Sequence, residues 1–270
     1  IREQGNTPKA ASLFQDLILS HYRAYGRDLP WRRTTDPYHI LVSEIMLQQT
    51  QVERVAVRYS EFLERFPDFE SLARAPQSEV LLAWQGMGYN RRAISLQKTA
   101  RLVVDEYSGN LPADVETLAT LPGIGQATAA AICAYAFNMP VVYIETNIRR
   151  TFIHFFFQDQ KGVRDDEILP LVEQTLDRGN PREWYSALMD YGTVLKKRTA
   201  NPNRRSASYT RQSRFEGSDR QVRGKILALV LEEGAVTEEE VAARVSEDAG
   251  RVKRILGDLE KEGFIAESEG

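Results

Sequence analysis

Nine consecutive residues, Leu121-Pro122-Gly123-Ile124-Gly125-Gln126-Ala127-Thr128-Ala129, constrain this chain more than any other stretch. An apolar residue and a proline lead into a Gly-Ile-Gly turn, and a run of small residues follows at once, from Thr128 to Ala136. Glycines there permit positive φ and let a second backbone come close. The amides after the turn open a helix N-terminus, where the first N–H groups lack partners inside the helix and a phosphate is favoured. The pattern predicts a helix, a tight hairpin and a second helix. Such a unit is suited to gripping a nucleic-acid backbone without reading its bases.

Elsewhere helical periodicity dominates and strand signals are few, which predicts an all-α fold. Helices are expected over 9–25, 38–51, 52–66, 69–73, 78–84 and 91–107, and after the hairpin over 148–157, 166–177 and 183–195. Gly26, Pro67, Pro76, Gly86, Gly88, Gly109 and Pro112 supply the breaks. Residues 9–195 therefore read as one helical body of two subdomains, 196–217 as a basic linker or arm, and 218–270 as a small second unit. In that last unit Val222, Ile226, Leu229 and Val230 make one stripe, and Thr237 with Glu240 forms a capping box. Val252, Ile255, Leu256 and Leu259 mark a third helix, and Gly263-Phe264-Ile265 is expected as a strand. The order suggests a winged-helix-like unit whose third helix offers Arg251, Lys253, Arg254 and Lys261 to DNA.

The net charge of −3 is unevenly spread. Acidic residues crowd the segment after Gly217, including Glu232, Glu233, Glu238, Glu239 and Glu240, so what precedes it is slightly positive. Between Tyr191 and Phe215 there is no acidic residue, while Lys196, Lys197, Arg198, Arg204, Arg205, Arg211 and Arg214 gather. Local charge, not the total, sets attraction to phosphates. No apolar run is long enough to span a membrane. The single cysteine, Cys133, lies in the apolar helix after the hairpin and is expected in the core.

Two carboxylates could do chemistry. Glu44 shares a helical face with Ile40, Leu41, Leu47 and Gln48. A carboxyl in so apolar a stripe should have a raised pKa, which keeps a neutral acid available near pH 7. Pairing with an arginine or capping a neighbouring helix is the other reading of Glu44. Glu145 stands just before a predicted helix, whose positive end favours the ionised form. One group poised as an acid and one kept charged suit cleavage of an N-glycosidic bond: the acid aids departure of the base and the anion stabilises the sugar cation. Taken alone, Glu145 reads first as a group that stabilises the helix end.

Leu29-Pro30-Trp31-Arg32, Asp36-Pro37-Tyr38, Ser43-Glu44 through Thr50, Gly86-Met87-Gly88-Tyr89 and the hairpin occur in one order and spacing. Over roughly 14–195 the chain thereby resembles the helix-hairpin-helix DNA glycosylases, and within them the MutY-type adenine DNA glycosylases. The resemblance implies a base-excision enzyme that flips one nucleotide from duplex DNA and hydrolyses its glycosidic bond. Glu44 matches the acid that protonates adenine and later helps activate water. Arg32, Gln48, Gln49, Tyr89 and Asn147 match DNA- or substrate-contacting positions, with Gln48 and Tyr89 entering the stack. Gly123, Ile124 and Gly125 match the phosphate-holding amides, with a monovalent cation implied on the Leu121 and Gly123 carbonyls. Lys196, Lys197 and Arg198 are expected on the DNA side of the arm.

The departures are as informative. Glu145 and Thr146 stand where the family has Asp-Gly. Ala127 occupies the position of the Schiff-base lysine of bifunctional relatives, so lyase chemistry is not expected. Lys196 falls at the first ligand of the family's four-cysteine iron–sulfur cluster, and one cysteine cannot hold such a cluster, so no cofactor is expected. The C-terminal unit is too short for the family's 8-oxoguanine-recognition domain. Three readings stay open: removal of adenine opposite guanine or 8-oxoguanine, removal of thymine or uracil opposite guanine, and a silent DNA-binding protein. The expected partner is duplex DNA carrying a mismatch or damaged base, met by a monomer in the cytoplasm at the nucleoid, with no membrane involved.

Overall fold

The computed structural model describes residues 7–211 and 214–266; residues 267–270 of the expected C-terminal unit lie outside them. The chain is helical throughout, with a lone parallel bridge between Val163 and Ser206 among the described residues. Two compact units form. One comprises Ile1–Ala73 with Ser95–Thr210, the other Arg74–Ile94 with Arg211–Gly270.

The larger unit holds α1 (Pro8–Tyr25), α2 (Pro37–Leu47), α3 (Val52–Arg65), α4 (Phe69–Arg74) and most of α6 (Arg91–Tyr107). After α6 come the hairpin pair α7 (Val115–Thr120) and α8 (Gln126–Phe137), then α9 (Thr146–Phe156), α10 (Asp165–Thr175) and α11 (Pro181–Arg198). Asp36 starts α2 by accepting the Tyr38 and His39 amides at 2.8 and 3.1 Å, with Pro37 at the first helical position. α2 packs against α8, and α9 and α1 pack on α11. Phe14 is the centre of one core cluster, with ring centroids of Phe152, Phe155, Phe156 and Trp184 at 5.2–5.8 Å. These edge and tilted contacts are the arrangements that ring quadrupoles favour.

The smaller unit holds α5 (Gln77–Ala83), α12 (Asp219–Glu233), α13 (Glu238–Val245) and α14 (Ala249–Lys261). Val80, Leu81, Trp84, Val222, Ile226, Val241, Val252, Ile255 and Leu259 are among its buried side chains. The Thr237–Glu240 capping box forms. Residues 263–266 carry no strand, so the wing expected at Gly263-Phe264-Ile265 is absent from the described residues. Phe264 instead buries its ring beneath the Arg223 guanidinium, 5.2 Å away. Arg251 and Arg254, expected to meet DNA, are tied to Asp219 at 2.8 and 2.6 Å, and Arg251 also to Glu247 at 2.8 Å.

Several boundaries differ from expectation, the end of α2 at Leu47 rather than 51 among them. α11 continues through Lys196, Lys197 and Arg198, whose positive charges in a last helical turn oppose the helix dipole favourably. And α5 with the 84–94 segment is grouped with the C-terminal helices, so the second unit does not begin at 218.

Candidate active site

α2, α8, the start of α9 and α11 line one cavity of about 690 Å³ in the larger unit. That lies within the range of small-molecule sites (about 300–1,000 Å³). Glu44, Gln48, Gln49, Arg32, Asn147 and Glu145 all border it, together with Trp31, Tyr135 and Tyr143. The two carboxylates that the sequence singled out separately thus face a shared space.

Glu44 projects from α2, a helix buried on most of its circumference. Burial, and then the neighbouring Glu145 charge, push its carboxyl up to about 8 against the weaker opposing pull of Arg32. At neutral pH it therefore holds its proton. Glu145 is the N-cap of α9: its Oε1 accepts the amides of Asn147 and, at 2.8 Å, Ile148. Its carboxyl too is raised, because burial outweighs the pull of those amides, Arg150 and Arg149. The helix end favours the ionised form, as expected, but burial outweighs it. Four stabilising groups nevertheless favour the Glu145 anion, whereas Arg32 is the one cation pulling Glu44 down, so the proton belongs on Glu44.

Asn147 is oriented from behind. Its Oδ1 accepts Arg150 Nη1 at 2.5 Å, and Arg150 also bonds the Gly192 carbonyl at 3.0 Å. A Cβ on Gly192 would sit 2.5 Å from the Asn147 carbonyl oxygen, so only glycine lets α11 approach α9 here. Gln48, expected to enter the DNA stack, reaches the hairpin, donating to the Gly123 carbonyl at 3.2 Å and Thr128 Oγ1 at 3.3 Å. Gln49 is exposed with φ 55°.

In the hairpin only Gly123 uses positive φ, at 79°, and an added Cβ would lie 2.7 Å from Ser95 Cβ. Gly125 is extended and meets nothing within 4 Å, leaving open space over the uncapped start of α8. Ile124 is buried, and its amide bonds the Leu121 carbonyl at 3.1 Å. Tyr89 lies in the smaller unit, exposed, with φ 49°.

Arg32, expected at a DNA- or substrate-contacting position, borders the cavity and is anchored from within. It forks onto Asp190 at 2.9 and 2.8 Å and bonds the carbonyls of Arg27 and Ser186. Asp190 also takes the Arg27 amide at 2.8 Å and its Nε at 2.7 Å. Sequence reasoning passed over Asp190, whose i±3 and i±4 neighbours in α11 are Ser186, Ala187, Thr193 and Val194.

The first half of the expected arm is a strap along α9. Asn203 Nδ2 donates to the Thr146 carbonyl at 2.9 Å, and Asn201 Oδ1 accepts Arg150 Nε at 3.1 Å. Arg205 bonds the carbonyls of Ile153, Phe157 and Gln158 at the far end of α9. The Val163 and Ala207 amides close the bridge at 2.9 and 2.8 Å. The segment carries no cysteine, and Cys133 is buried in α8, so these residues do not fit an iron–sulfur cluster. Arg205→Ala should orphan the α9 carbonyls and cost about 1–3 kcal/mol. A thermal midpoint equal to that of the parent protein would show that the strap does not hold α9.

Hairpin, acid pair and cavity together define a DNA glycosylase of base excision repair. Residues 42–173 match the family described as HhH-GPD superfamily base excision DNA repair protein. The chain is 36% identical over 272 residues to an adenine DNA glycosylase of Mycolicibacterium smegmatis, covering 93% of this chain and 92% of that protein. It is 30% identical over 192 residues to a thymine/uracil-DNA glycosylase of Methanothermobacter thermautotrophicus, covering 70% and 87%. A solved thermostable thymine-DNA glycosylase superposes with TM-score 0.61 at 29% identity, over 69% of this chain and 87% of that one. The chain belongs to the HhH-GPD superfamily, and its partner is DNA.

Proposed function

We propose that the protein removes adenine mispaired with guanine or 8-oxoguanine, by hydrolysis and without a lyase step. The observation that carries this is the shared cavity, with Glu44 protonated near pH 7 and Glu145 held by amides at a helix start. Extrusion of the nucleotide costs a few kcal/mol, least where pairing is already poor. In the cavity Glu44 gives its proton to the departing base as the glycosidic bond breaks. Glu145, with its second oxygen 3.4 Å from Asn147 Nδ2, supplies the negative charge that the developing sugar cation needs. Glu44, now a carboxylate, accepts a proton from the attacking water. The likeness to an adenine DNA glycosylase over nine-tenths of both chains favours adenine. Removal of thymine or uracil is the second reading, supported by the thymine/uracil-DNA glycosylase relative.

The proposal extends to a monomer acting on nucleoid DNA without an iron–sulfur cluster. Among the described residues no helix is long and apolar enough to cross a membrane. Ala127 leaves no amine at the start of α8, so the strand should stay intact until alkali is added. A panel of single-mismatch duplexes, assayed with and without alkali, tests all of this. The expected result is an alkali-labile site at adenine opposite guanine or 8-oxoguanine, from protein grown without added iron. Release of thymine alone would move the assignment to the second reading, and strand breaks without alkali would overturn the monofunctional mechanism.

A further inference from the structure

Two phenols border the cavity beside Glu44, and fold stability gives no account of their hydroxyls. Tyr135 belongs to α8 and Tyr143 to the stretch before α9, so both sit in the larger unit with Glu44. Ala127, Ala131 and Tyr135 follow one another at i+4 spacing on one face of α8, and all three border the cavity. A helical side chain lies over the turn that precedes it. Here that turn presents the Ala131 methyl, which leaves room for a phenol along the wall.

Tyr143 is 4% exposed, and its ring centroid lies 4.5 Å from that of Tyr185. The Tyr185 hydroxyl is committed, donating to the Val141 carbonyl at 2.6 Å. The buried Tyr143 hydroxyl makes no well-formed hydrogen bond to any described residue. The group that acts on it most strongly is the Tyr135 phenol, and Glu44 comes next. A buried hydroxyl in that condition costs stability that a phenylalanine would not. The charged groups facing Tyr135 are Glu44 first, then Arg32 and Glu145. Burial above all, with Glu44 adding to it, holds both phenols well above their ordinary value, so each keeps its proton wherever Glu44 titrates. A chain of hydroxyls points one way and polarises as it does so. Tyr143 is turned toward the Tyr135 oxygen, which frees the Tyr135 proton for whatever lies in the cavity.

We propose that Tyr135, oriented by Tyr143, is a second hydrogen-bond donor to the departing base. The proposal rests on the glycosylase reading and deepens it. When the C1′–N bond breaks, its electron pair goes to the base. Glu44 transfers its proton to one ring nitrogen, while Tyr135 keeps its own proton and hydrogen-bonds another acceptor atom of the same base. Water then adds to C1′ and gives its proton to Glu44. A donor aimed at charge that develops only as the bond breaks acts on the rate rather than on binding. Tyr143 touches no substrate and is a positioning residue.

The test compares full-length parent protein with Tyr135→Phe, Tyr143→Phe and the double variant. Single-turnover release is measured on the duplex preferred in the mismatch panel. Tyr135→Phe should slow it about a hundredfold and Tyr143→Phe about three- to tenfold. The double variant should lose no more than Tyr135→Phe alone, because Tyr143 acts through Tyr135. Duplex affinity should change less than about twofold. The loss should be uniform across the pH–rate profile, with the alkaline limb kept near 8 by Glu44. Base analogues that each lack one acceptor atom (for adenine, the deaza compounds in which one ring nitrogen is C–H) supply the decisive comparison. With one of them the parent protein should lose the same factor and Tyr135→Phe nothing more. Thermal midpoints of both single variants should equal or exceed that of the parent.

Parental rates in Tyr135→Phe, a loss that persists with every analogue, additive losses in the double variant or lowered midpoints in both single variants would each overturn the donor. An alkaline limb that moves while the rate below it stays parental would overturn it too, assigning Tyr135 to the tuning of Glu44. A parent protein that releases no base from the panel would sink the glycosylase reading itself. An active parent with an unaffected Tyr135→Phe variant would sink this proposal alone.

Discussion

Glu44→Gln is expected to abolish base release while making the protein more stable. General-acid catalysis by a positioned side chain contributes roughly 10²–10⁴ in rate, and Gln keeps the size of Glu44 with no proton to give. Single-turnover cleavage of the preferred mismatch should therefore slow by at least about a hundredfold, with affinity for the same duplex retained. Parental single-turnover rates in this variant would remove Glu44 from the reaction.

The stability gain follows from the same burial that makes Glu44 an acid. Its carboxyl lies near 8 in the folded protein against 4.5 when exposed. The folded state thus binds more protons between those values, and stability is full below the lower one and lost as pH rises through the upper one. At pH 7.5 the parent protein carries that penalty and the Gln variant does not. Allowing for water in the cavity, the difference is roughly 1–3 kcal/mol, which raises the thermal midpoint by several degrees. At pH 4.5 the gap should shrink towards zero. Catalysis shows the other side of this titration: the rate should fall above about pH 8 as Glu44 loses its proton. A site that is active and destabilising in the same pH range is a cost the fold carries for function.

What the sequence made legible here depended on how local the cause was. Glu44 was readable because an acid inside an apolar helical stripe implies burial without further knowledge of the fold, and the hairpin because Gly123 announces a turn. The end of α2 was misjudged by several residues: Gln48 and Gln49 carry no helix-breaking signal, and Gln49 takes positive φ without being glycine. The strap was unreadable for a different reason. Asn203 meets the Thr146 carbonyl across 57 residues and Arg205 meets Ile153 across 52, so the polar run 199–208 resembles a linker until α9 is in place. The grouping of Arg74–Ile94 with the C-terminal helices is likewise long-range: Gln77 bonds the Gly263 carbonyl, 186 residues away. Asp190 is the instructive omission. Its helical face carries Ser186, Ala187, Thr193 and Val194, a weaker burial signal than the one around Glu44, and its two arginine partners lie more than 150 residues earlier, so no local pattern marks it as an anchor.

That anchor carries the other large effect. Asp190 is 2% exposed and holds Arg27, 30% exposed, and Arg32, 14% exposed. Burial alone would raise its carboxyl, but the hydrogen bonds and charges of Arg32 and Arg27 prevail and hold it below the usual carboxylate value. Asp190→Ala leaves the mostly buried Arg32 charge with two carbonyls and the cavity edge in place of its carboxylate, and losing one partner of a buried pair costs about 3–5 kcal/mol. Arg27 can turn partly to water, so the lower end is expected, seen as a fall of roughly 6–12 °C in thermal midpoint. Because the folded carboxyl is depressed, this contribution is present above the unfolded value of 3.8 and lost as pH falls through the folded one. The parent and the variant should therefore converge in acid. A second consequence reaches the chemistry. Arg32 already draws Glu44 downward, and without Asp190 its charge acts on Glu44 unopposed, so the alkaline limb of the pH–rate profile should move below 8. A variant that melts early but keeps that limb in place would show that Asp190 holds the structure without tuning the acid. Movement of the limb with Asp190→Ala but not with Arg205→Ala would assign the tuning to the Arg32–Asp190 pair, since both variants loosen the same unit and only one of them changes the charge facing Glu44.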